Sequence, residues 1–195
     1  MRLRYAVPLP SFPSSKGPRT VRRYVAFLRG VSPMNAKMAE LKLAFEGAGF
    51  DAVRTVLSSG NVVFQARAAS IGSIERKAEV AMQSHLPRSF LTIVRSTDEL
   101  QAMLDADPYA QFDVPAGAKR IVTFFRDAAR HEVSLPLSLN DVNVFAAGEY
   151  HALAAYVPSP TSPTSLGLLE KTFGKNVTTR TWDTIRKCVA ASMRE

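Results

Sequence analysis

Val53-Arg54-Thr55-Val56-Leu57-Ser58-Ser59-Gly60-Asn61-Val62-Val63-Phe64-Gln65-Ala66 decides how this chain is read. Two short β-rich runs, Val53 to Leu57 and Asn61 to Ala66, flank Ser58-Ser59-Gly60, which spells a tight hairpin or a glycine bulge. Upstream, Tyr24 to Arg29 reads as a strand ended by Gly30. Between them Met38, Leu41, Phe45 and Ala48 recur at helical spacing, with Gly49 as the stop. Downstream, Ile74, Ala78, Ala81, Met82 and His85 mark a second helix before Pro87, and Phe90 to Arg95 reads as a fourth strand. The order is β-α-β-β-α-β, which predicts a ferredoxin-like sheet of four antiparallel strands with both helices on one face.

Ser96-Thr97-Asp98-Glu99 spells a capping box for a third helix through Leu100, Met103 and Leu104 that ends before Pro108. Beyond it the pattern is a partial echo. Arg120 to Arg126, Val142 to Ala147 and Tyr150 to Val157 read as strands, and residues 127–137 as an undefined connection. Pro158 to Pro163 is a proline-rich, extended loop. A helix runs from Leu166 to Phe173, stopped by Gly174. A last helix starts near Thr179 and carries Trp182, Ile185, Val189 and Met193 on one stripe. The expectation is an α+β protein. Residues 1–22 form a basic tail, 23–96 the ferredoxin-like part, and 97–195 a second, incomplete α/β part with two C-terminal helices.

Charge has to be located before it is interpreted. The chain has 195 residues and a formal charge of +8. Residues 1–23 carry Arg2, Arg4, Lys16, Arg19, Arg22 and Arg23 with no acid, so residues 24–195 are only +2. The tail, with Pro8, Pro10, Pro13 and Pro18, predicts a disordered lead-in that binds nucleic acid weakly and without sequence preference. Its prolines interrupt any secretory core, and no amphipathic helix suits a transit peptide, so a cytoplasmic location is expected. No apolar run approaches the length of a spanning helix, which points away from a membrane.

Taken together, YVAFLRGV, MAELK, VRTVLSSGNVVFQA and LLEKTFGKNVTTRTW resemble the domain of unknown function 1697 family of bacterial proteins, over roughly residues 22–192. The resemblance implies a two-part α+β protein whose first part is ferredoxin-like, and it implies no reaction. The chain departs from the family pattern in a shorter loop, Val31-Ser32-Pro33-Met34-Asn35, in Thr181 where asparagine is usual, and in Pro163 where lysine is frequent.

Chemistry-bearing residues are sparse. Cys188, beside the apolar stripe of the last helix, reads as a structural thiol with no histidine at an arranged spacing. Ser59 lacks the strand-to-helix elbow of a serine nucleophile. Asp105, Asp107 and Asp113 meet no calcium-loop spacing, so neither a metal nor a cofactor is expected. Tyr24, Phe27 and Phe64 occupy the strands on which an RNA-recognition motif stacks bases, but the glycine-aromatic signature is missing.

The most coherent polar set is late. Thr178 or Thr179 reads as the N-cap of the last helix, with Arg180 at its start and Lys171 and Lys175 nearby, which is the composition of an anion site. Arg29, Gly30, Ser59, Gly60 and Asn61 end strands that a sheet can bring to one edge. If the last helix docks there, Arg29, Gly30, Ser59, Gly60, Asn61, Lys171, Thr179, Arg180 and Trp182 form one ligand-binding set. The competing reading has the threonines capping, Trp182 anchoring the core and Arg180 pairing with a carboxylate. Two functions follow from the set. One is a binding protein for a small anionic or phosphorylated ligand or a nucleic-acid phosphate. The other is a metal-independent enzyme positioning an anionic substrate with Arg29 and Arg180.

Overall fold

The structure is a computed structural model that describes residues 20–128, 133–139, 141–158 and 166–194. The expected tail before Thr20 and most of the Pro158–Pro163 loop lie outside the described residues. Two antiparallel sheets and five helices make an α+β protein.

The first sheet contains β1 (Val21–Leu28), β2 (Asp51–Val56), β3 (Asn61–Arg67) and β4 (Thr92–Ser96) in the order β2-β3-β1-β4. Helices α1 (Met38–Gly47) and α2 (Ile71–His85) cover its outer face. Side chains alternate across a strand. Tyr24, Ala26, Leu28, Val62 and Phe64 therefore pack with Leu41, Phe45, Ile74 and Met82 of the two helices. Val25, Phe27, Val63 and Ile93 face the other way. His85, read from the sequence as part of the apolar face, is exposed. It lies over Gly47, where a Cβ would stand 2.8 Å from the imidazole Cε1 and would push the ring aside.

The second sheet contains β5 (Lys119–Phe125), β6 (Leu137–Leu139), β7 (Val142–Ala147), β8 (His151–Tyr156) and β9 (Val177–Thr181), in the order β6-β7-β8-β5-β9. Its Val122, Phe124 and Leu153 meet the inner face of the first sheet, where the Phe27 and Phe124 rings stack at 4.8 Å. Burying one such ring contributes about 1.5–3 kcal/mol, and the stacking adds about 0.5–1.5 kcal/mol. Helices α3 (Thr97–Ala106) and α5 (Trp182–Ser192) flank this shared core with Leu100, Trp182, Ile185, Cys188 and Val189. Helix α4 (Leu166–Phe173) covers the far face of the second sheet through Leu169 and Phe173.

The structure corrects three readings. Residues 177–181 form strand β9, not the start of a helix. The N-cap of α5 is Thr181, whose hydroxyl accepts the Thr184 N–H at 3.2 Å, and neither Thr178 nor Thr179 caps. A valine and three threonines in five residues favour a strand, and capping was only one of the roles open to threonine. The short strand β6 lies at the end of the stretch read as undefined connection. In line with the missing RNA-recognition signature, Tyr24, Phe27 and Phe64 are all buried, by the helices on one side and the second sheet on the other, so they present no surface for stacking bases.

Strand β4 is an edge, and its outward donors are all consumed. By register with β1, the Thr92, Val94 and Ser96 N–H groups point away from the sheet. Each is accepted at 2.9 Å by a glutamate: Glu79 Oε1 for Thr92, Glu75 Oε1 for Val94 and Glu99 Oε2 for Ser96. Glu75 and Glu79 stand one turn apart on α2, which lies along this edge. Glu99 belongs to the α3 capping box, which is complete.

Candidate functional site

Arg180 sits on β9, at the seam between the two sheets, and its environment decides what it does. Its Nε donates to Asn61 Oδ1 at 2.6 Å. Nη1 donates to Thr178 Oγ1 and to the Thr179 carbonyl, both at 2.8 Å. Nη2 donates to the carbonyls of Leu28 at 2.7 Å, Ser59 at 3.1 Å and Gly60 at 3.3 Å. Every N–H of the guanidinium has an acceptor, and none of the acceptors is charged. The Phe27 ring lies 5.6 Å from the guanidinium carbon, a cation–π contact. Burial holds the pKa of Arg180 at about 10, below the ordinary arginine value and still charged at neutral pH.

The hairpin turn makes this cradle. Leu57 and Gly60 take positive φ angles, +60° and +72°. A Cβ on Gly60 would also stand 2.6 Å from Val31 Cβ, so only glycine fits. Asn61 braces the turn, its Nδ2 donating to the Val56 carbonyl at 2.9 Å and to Ser59 Oγ at 3.1 Å. The result is a ring of oxygens at the end of β1 and β3 into which β9 inserts one cation.

The other predicted residues divide. Asn61, Ser59 and Gly60 meet Arg180 directly. Arg29 stands one residue beyond Leu28 and is paired with Glu170, while its Nη1 donates to the Lys175 carbonyl at 2.5 Å. Thr179 shares a hydrogen bond with Thr123, 2.9 Å between hydroxyl oxygens. Trp182 is buried edge-on against Tyr109 at 5.1 Å, with Arg120 over both rings. Gly30 and Lys171 are exposed and make none of these contacts. Arg180 is thus neither at a helix start nor paired with a carboxylate, as the two sequence readings had it.

Other titratable groups are similarly enclosed. Burial pushes the Cys188 thiol up to about 12, with the Arg180 charge acting weakly against it. Burial, then the charge of Arg95, lowers His151 to about 4. Asp107 pairs with Arg120 at 2.9 Å, and the described residues contain no cluster of His, Cys, Asp or Glu able to hold a metal.

Arg180 is one of five arginines that cross the seam. Arg95, on β4, donates to the carbonyls of Phe125 and Tyr150. Arg126, just past β5, pairs with Glu79 and stands 3.6 Å from Glu75. Arg29 reaches Glu170, and Arg54 donates to the carbonyls of Ala191 and Arg194 at the end of α5.

One of the five, Arg54, also belongs to a second group with a more open setting, which sequence reasoning missed. Arg23, Arg67 and Arg54 lie on the inner face of the first sheet, at the end left uncovered by the second sheet. Arg194, beyond α5, borders the same surface. Arg23 Nη1 contacts Met193 Sδ at 3.6 Å, and Arg54 uses only Nη1 on its two carbonyls. None of the four has a carboxylate partner among the described residues. The signal available in the sequence was alternation: Arg23 has the same parity as Val25, and Arg67 the same as Val63 and Gln65.

Fold and seam together define a two-sheet α+β protein with an arginine-stapled interface and an open basic strip. The chain belongs to the family described as "Protein of unknown function (DUF1697)", whose model matches residues 21–151. Its fold is similar to that of the conserved bacterial protein SP0830 from Streptococcus pneumoniae. That likeness has a TM-score of 0.66 at 20% identity and covers 90% of this chain and 100% of the other. No curated protein matches the sequence. No helix among the described residues is long and apolar enough to cross a membrane.

Proposed function

We propose that this protein is a binding protein without chemistry of its own, whose ferredoxin-like first half carries an anion-binding surface on its inner face, at the end that the second sheet leaves free and the end of α5 borders. The strand order β2-β3-β1-β4, with both helices on one side, supports the ferredoxin-like reading. One observation carries the anion reading: Arg23, Arg54 and Arg194 border one recess and Arg67 lies on the same sheet face, none of them with a carboxylate partner among the described residues. Like charges held together raise one another's energy, and an anion relieves that cost. Asp51, exposed on the adjacent strand, offsets part of the charge and leaves the strip basic. Arg29 and Arg180, the first candidates for this role, serve in this reading as the frame that holds the two halves in place.

The test is a thermal-shift titration with inorganic phosphate and pyrophosphate. A ligand bound only by the folded state raises Tm with concentration. Wild type is expected to gain several degrees, and Arg23→Gln/Arg194→Gln to gain little. Equal gains in both proteins would remove the strip from consideration.

A further inference from the structure

We infer that the occupant of this strip is the phosphate backbone of a nucleic-acid duplex, bound without reading its sequence. The inference rests on the anion-binding reading and gives its ligand class.

Shape speaks first. The recess within the strip, bordered by Arg23, Arg54, Gln65 and Arg194, holds about 10 Å³. That is about the least that admits a single water. Small-molecule sites are concave and enclose most of their ligand. A surface whose recess is that small, with Arg23, Arg54, Arg67 and Arg194 along it, fits a ligand that lies across it instead of inside it.

Spacing speaks second. Arg23 lies opposite Gln65 and Arg67 follows two residues on, while Arg54 pairs with Val63. Strand geometry then sets the Cα atoms of Arg23 and Arg67 about 8 Å apart, and those of Arg23 and Arg54 about 12 Å apart. Such a spread suits charges repeated along a polymer, and a duplex carries one phosphate per ~3.4 Å of axis on each strand. Arginine forks suit phosphate oxygens.

Specificity comes third. The aromatic residues of β1 and β3, namely Tyr24, Phe27 and Phe64, are buried, so the strip offers no platform for stacking an unpaired base. Contacts to phosphate alone position a duplex and carry no sequence information. Charge upstream adds to the effect. Val21 of β1 pairs with Arg67 of the strip, and the chain before it contributes Arg2, Arg4, Lys16 and Arg19 with no acid.

Anisotropy of a labelled 20-base-pair DNA duplex, titrated with the full chain from 50 to 200 mM salt, tests this. Each phosphate neutralised contributes about −0.9 to the slope of log K against log salt. Full-length protein is expected to show a slope steeper than about −3, with two duplexes of unrelated sequence bound alike. Arg23→Gln/Arg67→Gln, whose side chains are exposed, should keep the wild-type Tm, lose about tenfold or more in affinity at 50 mM salt, and flatten the slope by about 2. Deleting residues 1–19 should weaken binding and leave the effect of the double substitution in place. If the double substitution changes nothing in the deleted form, the strip is not the duplex site. Phosphate and pyrophosphate shifts that depend on the strip, with no duplex binding, would overturn the duplex and keep the anion reading. No response to phosphate, pyrophosphate or duplex would overturn both, and tighter binding of the corresponding single strand would also overturn the duplex assignment.

Discussion

Arg180 shows how little a residue's neighbours in sequence say about its task. Beside Thr178, Thr179 and a helix start it has the composition of an anion site, and its convergence with Ser59, Gly60 and Asn61 is legible from where the strands end. Its bonding is not legible, because the partners are mostly main-chain oxygens, which every residue carries and no side-chain pattern marks. A half-buried cation with six neutral acceptors, instead of a salt bridge, changes the expected mutant. In Arg180→Met the loss does not come from stranding a carboxylate. It comes from leaving the Leu28 and Gly60 carbonyls and Asn61 Oδ1 short of donors, at about 1–3 kcal/mol for each one that water cannot reach. Removing a poorly solvated charge offsets part of that. We expect a net destabilisation of about 3 kcal/mol in urea denaturation, and added sulfate should not restore it selectively. A variant as stable as wild type would show that the cradle contributes nothing.

At the scale of elements, most of the fold was readable. The hairpin at Ser59-Gly60, the capping box at Ser96, helix α4 and strand β7 follow from local pattern, because turn chemistry, caps and alternation act within a few residues. Strand β9 was not readable. Its threonines serve equally as caps or as strand residues, and pairing with β5 across more than fifty residues decides between the two. The glutamates along β4 are a further long-range device. Glu75 is buried, which raises its pKa, with the Val94 N–H, Arg126 and Arg95 acting against that shift. The folded chain thus holds a proton on Glu75 more tightly than the unfolded chain. Its contribution is therefore most favourable below the unfolded glutamate pKa and declines as pH rises through the folded value. Glu75→Gln keeps an acceptor for the Val94 N–H without the buried charge, whereas Glu75→Ala leaves that donor bare. We expect Glu75→Gln to lie within about 1 kcal/mol of wild type at pH 7 and Glu75→Ala to lose about 1–3 kcal/mol. Their order in denaturant midpoint is the readout, and a reversed order would contradict the role assigned here.

The whole molecule is a pair of sheets that share one core. Phe27 and Phe124 stack across it, Trp182 and Ile185 close it, and five arginines cross the seam with partners on the far side. Residues 23–96 and 97–195, expected from the sequence as a subdomain and a second one packed on it, share this core, and we expect no independent stability on either side. Trp182 fluorescence and far-UV circular dichroism should report one coincident urea transition, and two resolved transitions would establish separate units. The composition also looks different at this scale. A pI near 9.9 suggests a basic surface, yet Arg29, Arg95, Arg126 and Arg180 are spent within the molecule. What binds outside partners has to be sought among the remainder, as at Arg23 and Arg67. The glutamate row along β4 has one more consequence, for life in a crowded solution. A bare strand edge is a template on which a stray extended chain, or a second copy, can add and start a fibre. On this side the amides are already occupied. On the far side β2 breaks its register between Asp51 and Arg54, where Ala52 turns to φ +49°, so a newcomer meets a regular stretch only from Arg54 to Val56. The first sheet is thereby closed to growth along β4 and blunted along β2, a protection against aggregation obtained from three carboxylates and one misplaced residue.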